Sequence, residues 1–275
     1  MQILEYGEDR RETLLFLPCT AEPVWAFQET VARLARQRHV FQVGFDGHQP
    51  EYPGDFQSVE ETAAEITAYF RDRGITRLDG AYGCSLGGAC LTRLLALGEL
   101  KIGRAIIDGG ITPYRLPYLL RKLLLVRDIL GFRLVAGNRK ILEAAFPPER
   151  FTLPGRDPKK EYDELMVYLK TYSSRTVRNI FWSGNNYALP KVPAAGAKIT
   201  YWYGDDEKRD RKNDIRFIKG YFPGVRIHGI PKMAHGELVM IHPEPFCAYA
   251  EKFLREADEG PWDLGDEGGE HAVSH

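Results

Sequence analysis

The stretch Leu78-Asp79-Gly80-Ala81-Tyr82-Gly83-Cys84-Ser85-Leu86-Gly87 runs a short strand pattern (Leu78 to Tyr82) directly into a helical one (Leu86 to Leu97). A serine at such a junction sits on a sharp turn, with its hydroxyl held clear of its own backbone. Glycines two residues either side let strand and helix approach without side-chain clashes. Gly83-x-Ser85-x-Gly87 is therefore read as a mechanical device that presents a nucleophile, and it predicts a strand–turn–helix unit around Ser85.

Outward from that turn, strand-length apolar runs alternate with helical patterns. Thr13 to Leu17 reads as a buried strand ended by Pro18, and Val24 to Arg38 as a helix with Val24, Phe27, Val31 and Leu34 on one face. His39 to Phe45 is a second strand. Ser58 to Arg71 is a helix opened by the Ser58/Glu61 capping pair, with Gly74 just past its end. Arg104 to Asp108, Lys198 to Tyr203 and Val225 to Ile230 read as further strands. Helices are expected over Lys208 to Tyr221 and Pro243 to Arg255, and Gln2 to Tyr6 as an added edge strand. This alternation predicts an α/β fold: a mostly parallel sheet with helices on both faces.

Residues 111–193 break the pattern with scattered prolines and several helical repeats. Inserted between two strands, this block is expected to form a helical cap at the carboxyl edge of the sheet, where open α/β sheets hold ligands. Leu116, Leu119, Leu120, Leu123, Val126 and Leu130 recur at three- and four-residue steps, an apolar stripe whose expected role is packing within the cap. A pocket wall, a dimer face and an interfacial membrane contact are its other readings. The core is expected over residues 1–110 and 194–257, and residues 258–275, rich in acids and glycines, as a disordered tail.

The chain of 275 residues is long enough for a substantial core, and its 37 basic and 38 acidic residues nearly balance, which argues against a nucleic-acid partner. No basic segment precedes an apolar run at the start of the sequence, and no apolar stretch is long enough to span a bilayer. Cys19, Cys84, Cys90 and Cys247 are too scattered for a zinc site or a disulfide framework. A cytoplasmic location is the resulting expectation.

A serine hydroxyl needs a base within reach. His235, in the loop Pro231-Lys232-Met233-Ala234-His235-Gly236-Glu237 beyond the last strand, faces the same sheet edge as Ser85. The base in turn needs an anion on its other ring nitrogen. Asp205, Asp206 and Glu207, which follow Gly204, and Asp108, at the end of its strand, are all candidates.

Gly83-Cys84-Ser85-Leu86-Gly87-Gly88, the Tyr203-Gly204-acidic turn and His235 resemble the α/β-hydrolase superfamily in the order serine, acid, histidine. The likeness covers most of Thr13 to Arg255. It implies an acid three residues after Gly204, which is Glu207. It also implies an oxyanion hole from the backbone N–H groups of Leu86 and Thr20, although the loop here reads Pro18-Cys19-Thr20 where that family commonly has His-Gly. Cys19 is a minor alternative nucleophile, and Cys84 is expected to pack away from the site.

The implied activity is a serine hydrolase cleaving a small ester, thioester or lactone, needing no metal or organic cofactor. A non-hydrolytic acyltransferase or lyase on the same residues, and a non-catalytic ligand-binding protein, are the alternatives. The partner is then a small acyl substrate, and a homodimer remains open. Basic residues outnumber acidic ones between Arg115 and Arg150, which raises the idea of a carboxylate-bearing substrate. Tyr162, Tyr168, Tyr172, Trp182 and Tyr187 are expected to line part of the cap or pack its core.

Overall fold

The computed structural model describes residues 1–50, 54–114, 116–194 and 196–255. The tail predicted at 258–275 and Arg115 lie outside the described residues. Among the described residues, seven strands form one sheet: β1 (Gln2–Tyr6), β2 (Thr13–Leu17), β3 (His39–Gly44), β4 (Arg77–Cys84), β5 (Lys101–Asp108), β6 (Lys198–Gly204) and β7 (Arg226–Ile230). Their order across the sheet is β1-β3-β2-β4-β5-β6-β7. Every pairing is parallel except β1 with β3, where Gln2 opposes Gly44.

The chain steps from β2 outward to β3, then returns to lay β4 on the other side of β2. The sheet therefore reverses its order of winding between β2 and β4, the kind of crevice where α/β sheets bind ligands. Leu17 pairs with Gly83 there, so the loops that carry Thr20 and Ser85 leave the sheet side by side.

Alternate residues of each strand feed two separate cores, which is why the central strands read as continuous apolar runs. Leu15, Leu17 and Ile107 pack with Ile66 and Phe70 of α2 (Val59–Asp72) and Leu91 of α3 (Leu86–Leu97) on one face. Leu14, Phe16, Tyr82 and Trp202 pack with Val31 of α1 (Gln28–Leu34) and Phe246 of α11 (Pro243–Arg255) on the other. Ser58 caps α2 as its spacing predicts, its hydroxyl accepting from the Glu61 N–H at 3.0 Å.

Two predicted helices start later than expected. Val24 to Arg38 begins as a 3₁₀ turn over Val24–Phe27 and becomes α1 only at Gln28. Pro23 precedes it and no side chain caps either start, while Ala26 and Phe27 are both buried. Likewise Asp205–Glu207 forms a 3₁₀ turn, and α9 occupies Lys212–Tyr221. A short α10 (Glu237–Ile241) precedes α11.

Between β5 and β6 the chain is helical: α4 (Tyr118–Gly137), α5 (Arg139–Ala145), α6 (Pro148–Phe151), α7 (Pro158–Lys170) and α8 (Ser174–Gly184). The block is tied to the sheet layer by polar seams as well as packing. Ser183 Oγ accepts from the Val59 N–H at 2.7 Å, and Thr176 Oγ1 from the Phe56 N–H at 3.2 Å. Tyr162, Tyr168, Tyr172 and Tyr187 are buried, so most of the predicted aromatic set packs the core. The leucine stripe departs from expectation. Leu119, Leu120, Leu123, Val126 and Leu130 are exposed, because α4 is apolar on both sides and packs through the opposite one. Among the described residues, no helix is long and apolar enough to cross a membrane.

Candidate active site

Ser85 ends the β4 turn with φ 53° and ψ −112°, a conformation that costs a non-glycine residue steric strain. The surrounding glycines show why the strain is sustained. A Cβ on Gly83 would lie 2.6 Å from the Gly87 carbonyl oxygen. One on Gly87 would lie 2.3 Å from the Leu17 oxygen, so the turn is pressed directly onto the end of β2. Among the described residues, the other non-glycine positions with positive φ are Ala21 and Lys232. Both sit in loops at the carboxyl edge, next to Thr20 and just before His235. Strain of this kind persists where surrounding structure over-determines it.

His235 lies in the loop between β7 and α10, and its Nδ1 is 2.9 Å from Glu207 Oε2. The approach is off the ideal line for a hydrogen bond. The short separation and the anchoring of Glu207 still make this carboxylate the ring's charge partner. Glu207 Oε1 accepts from the Gly204 N–H at 3.2 Å, and Oε2 from Arg211 Nε at 2.6 Å. Burial pushes this carboxyl up, but His235 and Arg211 outweigh burial and hold it down at about 2.

The other candidate acids go elsewhere. Asp205 and Asp206 are exposed, and Asp206 pairs with Arg150 at 2.6 Å. Asp108 accepts from the Tyr82 hydroxyl at 2.7 Å in the opposite core, and burial raises its carboxyl to about 6.

Ser85 and His235 both pack on residues 108–111. The Ser85 N–H donates to the Asp108 carbonyl at 2.9 Å, and the Ile111 N–H donates to the Ser85 carbonyl at 3.3 Å. The imidazole lies over Gly109, which has φ 53° and whose Cβ, if present, would be 2.6 Å from both Nδ1 and Cε1. The next residue, Gly236, approaches Cys84 Sγ and Cys19 Sγ at 3.8 and 3.9 Å from its would-be Cβ. The Cys84 thiol is raised well above its ordinary value by contact with Cys19 and by burial, consistent with a packing role.

Thr20 follows β2, and its hydroxyl and His48 Nε2 are 2.8 Å apart. His48 Nδ1 faces the Asp46 carbonyl at 3.1 Å and must donate to it. Burial lowers this imidazole to about 4, so Nε2 is a bare acceptor and Thr20 is the donor. Tyr172, at the end of α7, adds a second tether by accepting from the Ala21 N–H at 3.2 Å. The Thr20 loop is thus fixed from the sheet side and from the helical block.

Three contributors were not legible in the sequence. Arg211 holds Glu207 and reaches Asp214 at 3.4 Å; its four-residue spacing from Glu207 was the available signal. Arg150, from the helical block, donates to Glu237 Oε2 and to the Lys232 carbonyl, each at 2.7 Å, pinning both sides of His235. Gly109 had no readable signal, because the ring it admits comes from residue 235.

A cleft between the helical block and the core is lined by Glu22, Trp25, Phe146, Phe151, Tyr162 and Met240. Glu22 lies two residues beyond Thr20. Burial, reinforced by Glu161, pushes its carboxyl up to about 8, so it is mostly protonated at neutral pH. Several of the described basic residues suggested for a substrate carboxylate already have partners. Arg127, Arg139 and Arg150 form ion pairs, and Arg133 donates to Ser174 at 2.7 Å.

No protein-family model matches this sequence, and a comparison with curated proteins finds no significant match. Solved structures do match. An α/β hydrolase family protein from Desulfitobacterium hafniense aligns over 92% of this chain and 100% of its own, with TM-score 0.69 and 14% identity. A serine hydrolase from Cycloclasticus zankles aligns over 92% and 93%, with TM-score 0.67 and 14% identity. A carboxylesterase from Bacillus subtilis aligns over 92% and 86%, with TM-score 0.62 and 14% identity. The chain has the α/β-hydrolase fold. Identities this low carry the fold alone, and the reaction has to be argued from the residues.

Proposed function

We propose that this protein is a serine hydrolase that cleaves a small carboxylic ester, thioester or lactone through an acyl-enzyme on Ser85. The observation that carries the reading is the anchored Glu207 carboxylate 2.9 Å from His235 Nδ1, with the imidazole seated on the same 108–111 segment as the strained Ser85.

Glu207 fixes the tautomer in which Nδ1 carries the proton and Nε2 is free to accept one. Ser85 Oγ attacks the substrate carbonyl as its proton passes to Nε2. The N–H groups of Leu86 and Thr20 receive the oxyanion, and His235 then protonates the leaving group. Water, deprotonated by the same imidazole, attacks the acyl-enzyme and releases the acid. One oxyanion donor is worth roughly 3 to 4 kcal/mol in the transition state, which gives the two tethers on the Thr20 loop a purpose.

The helical block acts as a cap in this reading, and the small aromatic cleft beside Glu22, two residues along the chain from Thr20, is assigned to the acyl group. Protonated Glu22 and nearby Glu161 favour a neutral, apolar acyl chain over a carboxylate-bearing one. Ser85 is only 7% exposed, which leaves room for a second reading, acyl transfer to an alcohol with water excluded.

A fluorophosphonate probe tests the nucleophile. Wild type is expected to be labelled and Ser85→Ala not; equal labelling of both ends the proposal. Neutral p-nitrophenyl esters of rising chain length should then outperform matched esters with a terminal carboxylate. Partition of the acyl group between water and added methanol separates hydrolysis from transfer.

A further inference from the structure

We propose that the outer face of α4 is a docking surface for an anionic lipid bilayer. Leu119, Leu123, Val126, Leu130 and Leu134 are 72%, 60%, 55%, 55% and 57% exposed. With 3.6 residues per turn, these five fall within about 80° of the helix circumference. Ile129, Phe132, Val135 and Ala136 project the other way and pack on the core. The helix therefore carries two apolar faces, and a soluble helix ordinarily has one. On the neighbouring α5, Ile141 is 38% exposed.

Charge identifies the occupant. Lys122 and Arg133 border one margin of the stripe, and Arg127, ion-paired with Asp128 at 2.7 Å, borders the other; Asp128 is the one acid of α4. Lys122 sits over the exposed Tyr118 ring at 4.9 Å from its centroid. An apolar stripe with basic margins matches the boundary between lipid tails and anionic headgroups, with an aromatic ring at that level. A second copy of the chain fits poorly. An antiparallel two-fold contact along this face would set the margin bearing Lys122 and Arg133 against the same basic margin of the other copy. The acid needed to offset them, Asp128, is already held by Arg127 at 2.7 Å. α4 also reaches inward, where Leu124 and Leu125 line a small cavity with Phe181, so docking would lay the helical block against the membrane.

Vesicle co-sedimentation of the full chain tests this without any assay of turnover, and Ser85→Ala should bind as wild type does. Wild type is expected to pellet with phosphatidylcholine vesicles containing about 30% phosphatidylglycerol, more weakly with phosphatidylcholine alone, and less as salt rises. Lys122→Gln with Arg133→Gln should lower the affinity about tenfold or more, each cation near an anionic surface being worth on the order of a factor of five. Leu123→Glu with Leu130→Glu should abolish binding while circular dichroism stays unchanged. The proposal is overturned if wild type ignores anionic vesicles at low salt, a result that does not depend on any variant folding. It is equally overturned if light scattering finds a dimer that the two glutamates convert to monomer.

Discussion

At residue 207 the chain presents three consecutive carboxylates, and one of them meets the imidazole. Glu207→Gln would leave His235 Nδ1 facing a neutral amide that can present either its accepting oxygen or its donating NH2, so the imidazole tautomer is no longer fixed. By the behaviour of triads generally, kcat should fall about 10⁴-fold. Asp205→Asn and Asp206→Asn should stay within a few-fold of wild type, since both residues are exposed and it is Glu207 that meets the His235 ring. Comparable losses for all three would remove Glu207 from the proposed triad. Gly109 makes a second residue-scale prediction. Alanine there would drive a methyl to within 2.6 Å of the His235 ring, in a backbone region unfavourable to it. A displacement of about 1 Å at a catalytic group costs roughly 10²-fold, so kcat should fall by that order with KM little changed. Unchanged kcat in Gly109→Ala would mean that the imidazole does not work from this position.

Among the elements, the loop bearing His235 has no regular structure of its own and takes its shape from neighbours. Arg150 reaches Asp206, Glu237 and the Lys232 carbonyl, linking the helical block to both sides of that loop. Arg150→Ala would take the guanidinium partner from the buried Glu237 carboxylate, leaving it the Ala234 N–H at 2.7 Å and His242 at 3.8 Å. After allowance for the partial exposure of Arg150, about 1–2 kcal/mol should be lost. For a chain of this size that is a fall of about 2–8 °C in Tm, measurable by calorimetry. A Tm within a degree of wild type would show that the ion-pair cluster contributes no net stability. At this scale the sequence was legible where a pattern had one solution. G-x-S-x-G, the Ser58 cap and the alternating apolar strands each specify local geometry, and β1 to β7 and α2 followed. The α4 stripe did not, because periodicity shows that a helix has an apolar face and does not say whether another element covers it.

For the whole molecule, several carboxyl groups make folding depend on pH in two opposing ways. Glu207 and Glu237 are held at about 2, and Glu251 is also lowered; for each, burial raises the carboxyl and its partners more than compensate. Their folded values lie below the unfolded one, so the stability they add is present above about pH 4.5 and disappears as pH falls toward 2. Glu22, at about 8, and Asp108, at about 6, are displaced in the other direction by burial. The folded state retains their protons after the unfolded state has lost them, so stability declines as pH rises from about 4.5 through those values. Glu22→Gln should therefore gain stability over wild type progressively between pH 5 and pH 8, with little difference at pH 4.5. Urea unfolding across that range measures it, and a constant difference would show that Glu22 ionises normally.

By itself the sequence determined the α/β layering, the strained serine turn and a short roster of partners for it, because strand alternation, helix capping and a G-x-S-x-G bend are set by neighbours a few residues apart. The resemblance pointed to Glu207, but only the tertiary structure could bring that carboxylate to the imidazole, seat His235 on Gly109, recruit Arg150 and Arg211, and leave the α4 leucines uncovered. Each of those outcomes is a contact, or a missing one, between segments distant along the chain, where packing and burial decide and local pattern carries no information.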